Sequence, residues 1–461
     1  MTRSVADLLF RPRSIVVYGA SSDPDKLSGR PLDYLKRFGF GGQIYAINPQ
    51  RTEVQGMRAY ADLADLPGPV DLAIVVVPAP AVVDAIRECS KTGVGAAIIF
   101  ASGFAEIGEK GAPQQAEISA IARSSGMRIV GPNCLGSFGV TDRAFATFST
   151  AFDENGDRPV SPIALVSQSG AVGTFTYSTM NALGLGVTYL ANTGNESDVT
   201  VTEVLSSLVE APDVQVLMGH IEGCPDLDAL AALASAARHS GKPLILLKSG
   251  RTPAGARAVA AHTASVAGDD AAFDAVLAAH GALRVPSMEA MADSALALVE
   301  GRRAAGRRLT IVTLSGGGGA LAADRAVELG VEVDTWANEQ DRAALAAELP
   351  YFGSTANPID VTGAMINDLS LLERTLRVVS DNGDTDAVLV LLGNADRGSE
   401  EIVATLTKAH RATSKPFLVA WTGGSGRARA SLLQAGVPTY TDPHRATECM
   451  SRVMEFSLHS T

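Results

Sequence analysis

The sequence has few of the features that mark secreted, membrane-bound or metal-binding proteins. Only four of its 461 residues are cysteine, and Cys89, Cys134, Cys224 and Cys449 are too far apart for any CxxC pair. Neither a disulfide framework nor a zinc site is therefore predicted. No apolar run approaches the roughly 18 residues of a membrane span, and the first twenty residues lack the order of a signal peptide. We expect a cytoplasmic protein.

Charged residues are also sparse, at 19% of the chain, and the excess of 50 acidic over 38 basic residues gives a formal net charge of -12. No cluster of lysine or arginine outnumbers the acidic residues around it, so no surface for nucleic acid or anionic lipid is predicted. Hydrophobic residues make up 46%, which is enough to fill several cores. The length by itself suggests about three domains.

Short apolar runs alternate with helix-length segments along the whole chain, as in SIVVYGA, VDLAIVVVP and GAAIIFASG. Strands that are apolar on both faces and separated by helices are typical of parallel sheets covered on both sides. We predict an α/β fold with a doubly wound domain over residues 1–143 and two further domains over 160–300 and 307–461. The turn-rich segment FSTAFDENGDRPVSP is the predicted linker after the first domain.

The second and third domains repeat one series of elements. Residues 166–170 (VSQSG) align with 312–316 (VTLSG), an offset of 146 (312 minus 166). In the first copy, 38 residues separate positions 243 and 281. The equivalent segment of the second copy, from 416 to 436, has 20, so the first copy has an excess of 18 (38 minus 20). The excess contains AVAAHTASVAGDD and its histidine, His262. Because ligands of open α/β sheets lie at the carboxyl ends of strands, the insertion marks a candidate site.

The stretch around His262 has no bulky side chain to anchor it, and Gly255 and Gly268 bracket it as candidate hinges. A neutral imidazole can attack phosphorus near pH 7. The alternative for such a histidine is to pack against or cap a helix. Asp269 and Asp270 are predicted to form the first turn of the helix that follows.

The turns of the first domain suit a nucleotide. GASSDPDK follows a strand, and a turn before a helix can present N–H groups to a phosphate, but the pattern is not a full GxGxxG. A nicotinamide site would carry an acid after the second strand, where this chain has Asn48 and Arg51. A basic residue favours NADP or coenzyme A, and a surface arginine is the alternative. The candidate ligand contacts are Gly19, Ala20, Ser21, Ser22, Asn48, Arg51, Val77, Pro78, Ala79, Ser102, Asn133 and Cys134.

Two further turns are candidate phosphate sites, SQSGAVG in the second domain and LSGGGGALAAD in the third. Helix N-termini bind phosphate without cationic side chains, although such turns can also serve tight packing alone. The residues are Ser167, Ser169, Gly170, Ser315, Gly316, Gly317 and Gly318. Near them, MGHIEG places Glu222 at a strand end, where a carboxylate could orient an imidazole. His220 lies in the same turn, and a solvated glutamate is the alternative.

As a set and in this order, the motifs resemble those of NDP-forming acyl-CoA synthetases, relatives of succinyl-CoA synthetase. The resemblance covers nearly the whole chain, including INPQ, GPNCLG, KSGRTPAGARAVAAHTASVAG and NPIDV. It implies a Rossmann-like CoA-binding domain followed by two flavodoxin-like domains. It also implies that His262 is phosphorylated during turnover, that a glutamate near Glu222 orients it, and that the phosphoryl group passes between an acyl phosphate and a nucleoside diphosphate.

Two departures from the family accompany the resemblance. Family members usually have glycine where this chain has Ala264. No segment resembles an ATP-grasp domain, so an alpha-type subunit is implied, with ADP or ATP and Mg²⁺ bound by an ATP-grasp beta-type partner. The acyl pocket is expected near residues 171–175 and Cys134. A CoA-binding regulatory protein and an NADP-dependent oxidoreductase are the competing hypotheses. His262, Glu222 and the paired turns argue against the first, and Asn48 with the incomplete glycine fingerprint against the second.

Overall fold

The computed structural model describes residues 3–153, 159–263 and 268–459. The chain forms two compact units, Met1–Met291 and Ala292–Thr461. The first unit contains two sheets and the second contains one. In the described ranges, no helix is both long enough and apolar enough to cross a membrane.

The first sheet has the strand order of a doubly wound domain. In chain order its strands are β1 (Ser14–Tyr18), β2 (Gln43–Ile47), β3 (Glu53–Val54), β4 (Met57–Tyr60), β5 (Leu72–Val75), β6 (Ala96–Ile99) and β7 (Arg128–Val130). Its helices are α1 (Val5–Phe10), α2 (Arg30–Arg37), α3 (Ala79–Lys91) and α4 (Ala112–Ser125). The spatial order is β3-β4-β2-β1-β5-β6-β7, with every pair parallel except β3 and β4. The crevice of such a sheet opens beside β1, where the order reverses.

Alternate residues of these strands enter two separate cores, one on each face of the sheet. Ile15 and Val17 belong to one core, whereas Val16 belongs to the other. Successive side chains of a strand point to opposite faces, and helices cover both faces here. The continuous apolar runs therefore give fully buried parallel strands, as predicted.

The second sheet also belongs to the first unit. Its strands are β8 (Gly136–Gly139), β9 (Ala144–Thr147), β10 (Ile163–Ser167), β11 (Tyr189–Asn192), β12 (Val216–Ile221), β13 (Leu244–Lys248) and β14 (Leu283–Val285). Its helices are α5 (Gly170–Asn181), α6 (Val201–Leu208), α7 (Leu227–His239), α8 (Pro253–Thr263), α9 (Asp270–His280) and α10 (Met288–Leu298), the last of which runs across the boundary between the units. The order is β14-β13-β12-β10-β11-β8-β9.

One hairpin crosses the boundary predicted at residue 143. Strands β8 and β9 pair with each other, and β8 continues onto β11, both antiparallel. The hairpin is thus part of the second sheet, although its first strand lies in the segment assigned to the first domain. Residues 136–147 are apolar and hairpin-like, and periodicity cannot say which neighbouring sheet such a hairpin extends.

The second unit repeats the topology of the second sheet. Its strands are β15 (Leu309–Thr313), β16 (Ile359–Asp360), β17 (Ala387–Gly393), β18 (Phe417–Thr422) and β19 (Thr439–Tyr440). Its helices are α11 (Gly316–Glu328), α12 (Glu339–Glu348), α13 (Ser370–Asp381), α14 (Ser399–Ala412), α15 (Arg427–Gln434) and α16 (Pro443–His459). The order β16-β15-β17-β18-β19 matches β11-β10-β12-β13-β14, and both follow the flavodoxin-like order 2-1-3-4-5. The predicted offset holds, because β10 and β15, and likewise α5 and α11, begin 146 residues apart (309 minus 163; 316 minus 170).

The extra residues of the first copy form an additional helix. Two helices, α8 and α9, lie between β13 and β14, whereas only α15 separates β18 from β19 in the described part of the second copy. Gly255 lies in the first turn of α8, and on either side of this helix Gly250 (75°) and Gly268 (72°) have positive φ. Asp269 caps α9 by accepting from the N–H groups of Ala271 and Ala272, as the acidic first turn predicts.

Candidate functional site

The predicted CoA contacts after β1, β2 and β5 lie together at the carboxyl edge of the first sheet. The side-chain amide of Asn48 donates to the carbonyl of Ala20 at 3.0 Å. Gly19 has a φ of 94°, and a Cβ there would lie 2.8 Å from Cγ1 of Val77. Glycine is needed for this backbone conformation and close approach. Arg51 and Ser22 are exposed beside this edge.

The loop after β1 differs from the predicted helix N-terminus. Helix α2 begins only at Arg30, and the N–H groups of Gly19 and Ala20 both donate to the carbonyl of Ile47, at 3.0 and 3.1 Å. The side chain of Gln55 donates to the carbonyls of Ser21 and Gly29, which closes the loop. The N–H groups of Gly19 and Ala20 are therefore occupied within the fold and are not free to bind a phosphate.

A cavity of about 330 Å³ forms where turns of the first sheet meet the turn after β10. Five of the predicted CoA and phosphate contacts line it: Ser102, Asn133, Cys134, Ser169 and Gly170. The other lining residues are Leu27, Phe100, Leu135, Phe148, Gln168, Ala171 and Gly194. The predicted CoA and phosphate segments of the first unit therefore share one cavity. Phe175, placed near the acyl pocket from sequence, is 58% exposed and does not line this cavity.

Hydrogen bonds hold the edges of the two sheets against each other. Asn133 donates from its backbone to the carbonyl of Ala101 at 2.9 Å and from its side chain to the amide oxygen of Asn195 at 3.2 Å. The side chain of Asn195 donates in turn to Glu106 at 2.5 Å and to Gln115 at 2.9 Å. The walls of the cavity are therefore fixed by polar contacts between segments that are distant in sequence.

Helix α5 points its N-terminus at this cavity. Ser169 is the N-cap, and its hydroxyl accepts from the N–H of Val172 at 3.4 Å. The first N–H groups of a helix have no partner within the helix and carry partial positive charge, which suits an anion. Ser167 is different: its hydroxyl is fully buried and donates to the carbonyl of Ser169 at 2.6 Å. Ser167 thus supports the turn from inside, and Ser169 and Gly170 face the cavity.

Gly170 allows α5 to approach Leu135 closely. A Cβ at Gly170 would lie 2.5 Å from Cγ of Leu135, whereas at the equivalent Gly316 the nearest heavy atom, Oδ2 of Asp360, would be 3.7 Å away. We expect Gly170→Ala to destabilise the first unit by about 2 kcal/mol through overpacking and to lower its Tm by about 4 °C. Gly316→Ala is the matched control, because alanine fits there and stabilises a helix by about 0.5–1 kcal/mol. Equal Tm values for the two variants would contradict the prediction.

Gln168, which the sequence analysis did not select, joins two acidic residues at the edge of the second sheet. Its side-chain oxygen accepts from the backbone N–H groups of Glu222 and Gly223, and its side-chain nitrogen donates to Glu196 at 2.6 Å. Burial raises the pKa of Glu196 to about 7. No sequence pattern indicates Gln168, because its role depends on the turn after β12 lying beside the turn after β10.

Glu222 is 7% exposed, and its Oε2 has no hydrogen-bond partner within the described residues. Its backbone carbonyl accepts from Nζ of the buried Lys248 at 2.7 Å. A buried carboxylate oxygen without a partner is costly unless another group satisfies it. This arrangement fits a side chain that receives a donor during function.

Glu222 and His220, between which the sequence left the choice open, differ in their contacts. His220 is 1% exposed, and its Nδ1 and Nε2 lie 3.1 and 2.8 Å from the hydroxyls of Ser167 and Ser249. Burial and the nearby Lys248 ammonium lower the pKa of His220 to about 4. His220 is therefore a neutral link between three strand ends. Glu222 has a carboxylate oxygen without a partner among the described residues, and its role in orienting a histidine stays a prediction.

The lowered pKa of His220 makes stability depend on pH. The unfolded state takes up a proton near pH 6.5 and the native state only near pH 4, so stability falls as the pH drops. At pH 5 the loss relative to pH 7 should reach about 2 kcal/mol. In His220→Gln this part of the loss should vanish when free energies of unfolding are compared by urea titration at both pH values. The same loss in His220→Gln and in the exposed control His239→Gln would refute the assignment.

His262 belongs to the last turn of α8, and its side chain lies outside what the structure describes. Ala264, the departure noted in the sequence, also lies outside the described residues. Helix α8 contacts the 3-10 segment Ala105–Lys110, which follows β6 and contains Glu106. The inserted helix therefore lies against the CoA-domain side of the first unit.

The second phosphate turn has the same cap as the first. Ser315 is the N-cap of α11, and its hydroxyl accepts from the N–H of Gly318 at 3.2 Å. Gly317 has open space around it, and Asp360, at the end of β16, lies beside Gly316. This turn belongs to the second unit, and its role in phosphate binding stays a prediction.

All four cysteines are free thiols. Within residues 3–153, 159–263 and 268–459, no group of three or more histidine, cysteine, aspartate and glutamate side chains is arranged to hold a metal ion.

Comparison with known proteins identifies both halves of the first unit. Residues 13–139 match the family model of a CoA binding domain, and residues 160–298 match that of the succinyl-CoA ligase like flavodoxin domain. The alpha subunit of ADP-forming acetate–CoA ligase I from Pyrococcus furiosus is 30% identical over 460 residues, which cover 98% of this chain and 97% of that protein. The alpha subunit of isoenzyme II from the same organism is 32% identical, covering 95% and 94%.

Other relatives are longer. A trans-feruloyl-CoA synthase from an unidentified prokaryote is 31% identical over 390 residues, or 85% of this chain and 55% of that protein, so the chain spans about half of its length. Among solved structures, the dinucleotide forming acetyl-coenzyme A synthetase 1 of Ca. Korarchaeum cryptofilum, in complex with phosphate and ADP, superposes with a TM-score of 0.90 at 31% identity. That match covers 100% of this chain and 98% of the other. The chain therefore belongs to the family of ADP-forming acyl-CoA ligases and corresponds over its length to their alpha subunits.

Proposed function

We propose that this chain is the alpha-type subunit of an ADP-forming acyl-CoA synthetase and works through an acyl phosphate and a phosphohistidine. The observation that carries the proposal is the 330 Å³ cavity, which residues of the CoA-binding domain line together with the N-terminus of α5. Such a cavity can bring the thioester of an acyl-CoA to a bound phosphate. An anion site beside the thiol end of CoA, as proposed here, would have no use in either competing hypothesis, a regulatory CoA-binding protein or an NADP-dependent oxidoreductase.

The chemistry needs two displacements. A phosphate oxygen attacks the thioester carbonyl, and the C–S bond breaks to release CoA thiolate, which leaves an acyl phosphate. A ring nitrogen of His262 then attacks phosphorus, and the P–O bond to the acyl group breaks to release the carboxylate. Ser169 and Gly170 hold the phosphate at the helix N-terminus, where partial positive charge stabilises it in both steps.

Glu222 is the orienting residue in this proposal. Its Oε2 lacks a partner among the described residues and accepts the ring N–H of His262, which fixes the tautomer and leaves the other nitrogen free to attack. The side chain of His262 lies outside the described residues. The variants described below test whether Glu222 acts on it.

The phosphoryl group then passes to ADP, or comes from ATP in the direction of synthesis. We assign nucleotide and Mg²⁺ binding to an ATP-grasp partner subunit, because all described elements of this chain belong to the three α/β sheets and their helices. The contacts of CoA with the residues beside β1, β2 and β5 are part of the proposal as well. Four free thiols agree with a reducing compartment, the cytoplasm.

The proposal is tested with the chain alone, labelled inorganic phosphate and a panel of acyl-CoAs. We expect label on protein that is stable to base and lost in acid, formed only when both substrates are present, with release of one thiol per label. Addition of ADP and Mg²⁺ should not discharge the label until an ATP-grasp partner is supplied. Absence of label with every acyl-CoA, or tight binding of NADP without binding of CoA, would overturn the proposal.

A further inference from the structure

The cavity has a polar side and an apolar side. Ser102, Asn133, Gln168 and Ser169 provide the polar groups, next to the N-terminus of α5. The other side chains of the lining are apolar, and these five residues, Leu27, Phe100, Leu135, Phe148 and Ala171, are called the apolar wall. An acyl group bound next to a phosphate at the helix N-terminus would lie in the same cavity as these apolar side chains.

The described side chains that line the cavity carry no formal charge. The thiol of Cys134 is neutral as well, because burial raises its pKa to about 12. A second carboxylate on the acyl group would therefore lose its water without gaining a cationic partner, which is strongly unfavourable. The cavity selects against acyl groups derived from dicarboxylic acids.

Two aromatic rings define the apolar wall. Phe100 and Phe148 meet edge to face, with centroids 4.8 Å apart and planes at 63°. Phe100 is only 6% exposed, so packing fixes the ring against which Phe148 rests. Aromatic rings favour such edge-to-face and offset arrangements with a further ring. The wall thus offers a preformed contact surface for a flat apolar group.

The cavity volume is also larger than a small acyl group such as acetyl requires. A cavity of about 150 Å³ accommodates benzene, and this one measures about 330 Å³. The cavity is therefore large enough to take a phenyl-sized group. An acetyl group would leave the apolar wall in contact with water, and the binding energy of that surface would be unused.

We propose that the acyl group accepted here is that of an aryl-bearing monocarboxylic acid, and that the wall formed by Phe100 and Phe148 determines this specificity. The inference rests on the proposed function, since it assigns the cavity to the acyl group. Burial of a ring-sized apolar group against the wall should favour phenylacetyl-CoA over acetyl-CoA by about 10- to 100-fold in kcat/KM.

The test measures phosphohistidine formation by the full chain with phenylacetyl-CoA, acetyl-CoA and succinyl-CoA and labelled phosphate. We expect phenylacetyl-CoA to exceed acetyl-CoA by at least tenfold in kcat/KM, and succinyl-CoA to fall below both. Label with acetyl-CoA or succinyl-CoA at equal or higher efficiency would overturn the specificity while leaving the proposed function standing. Absence of label with all three would count against the proposed function itself, provided that no other acyl-CoA labels the chain.

A variant that fills the cavity tests its location. Ala171 is exposed in the first turn of α5 and lines the cavity, so Ala171→Leu adds volume there without entering a core. We expect the ratio of phenylacetyl-CoA to acetyl-CoA efficiency to fall at least tenfold. Phe175→Ala, one turn along the same helix and outside the cavity, is the control and should keep the ratio of the parent chain. An unchanged ratio in Ala171→Leu, with an unchanged Tm, would show that the acyl group lies elsewhere.

Discussion

Replacement of His262 by alanine should remove acid-labile phosphate from the protein completely. In the proposed mechanism this imidazole is the only nucleophile that accepts the phosphoryl group, and no neighbouring group of the small-residue segment around it can form a phosphoramidate. The measurement is labelled phosphate on protein after incubation with acyl-CoA, resolved by acid and base stability. Acyl phosphate should still form and should be detected as release of CoA thiol that requires phosphate, because the first displacement does not involve His262.

His239 provides the matched control for this experiment. It lies exposed at the end of α7 in the same unit, where its Nδ1 is 2.7 Å from the carbonyl of Ser235. His239→Ala should keep the label of the parent chain. Label that survives in His262→Ala would place the phosphoryl group on another residue and would remove the basis of the proposed mechanism.

Glu222→Gln should slow phosphohistidine formation by about 10³-fold without unfolding the chain. The substitution keeps the size of the side chain and replaces an acceptor by a donor, so the ring of His262 would be held in the wrong tautomer; the equivalent change in a serine-protease triad costs about 10⁴. The backbone of Glu222 would keep its bonds to Gln168 and Lys248, since both use main-chain groups. Single-turnover labelling, with Tm as the measure of folding, separates the chemical effect from the structural one.

Glu289→Gln is the control for that variant. Glu289 lies in the first turn of α10 and is exposed. Its substitution by glutamine therefore changes the net charge by the same amount without altering the site. We expect its rate of labelling to stay within twofold of the parent chain. If Glu222→Gln also became labelled at the rate of the parent chain, Glu222 would not orient His262 in the reaction.

Much of the fold follows from local patterns. The runs SIVVYGA and PIALVSQ form β1 and β10 because strands that are apolar on both faces require cover on both sides. The offset of 146 residues reappears in the starts of β10 and β15, since a repeated pattern folds into a repeated unit. The aspartate cap of α9 also follows from the sequence, because capping involves only neighbouring residues.

The site required more than local patterns. Ser167 and Ser169 stand two residues apart in one motif, yet one hydroxyl is buried against His220 and the other caps α5 beside the cavity. Gln168 gave no signal, since its partners are the side chain of Glu196 and backbone groups of the turn at residues 222–223, which are far along the chain. Phe148 likewise gave no signal, because the residues around it in the sequence do not predict its contact with the ring of Phe100.

The sequence by itself determined the α/β class, the repeated topology, the family and the segments that surround the cavity. Each of these is recorded in hydrophobic periodicity or in short motifs, which depend on residues a few positions apart. Only the tertiary structure decided that the hairpin β8–β9 extends the second sheet and that His220 is a buried link. It also decided that Glu222 has an oxygen without a partner among the described residues, and that apolar side chains line part of the cavity. These properties arise from contacts between segments far apart in the chain, and burial and hydrogen-bond partners exist only once those segments have packed together.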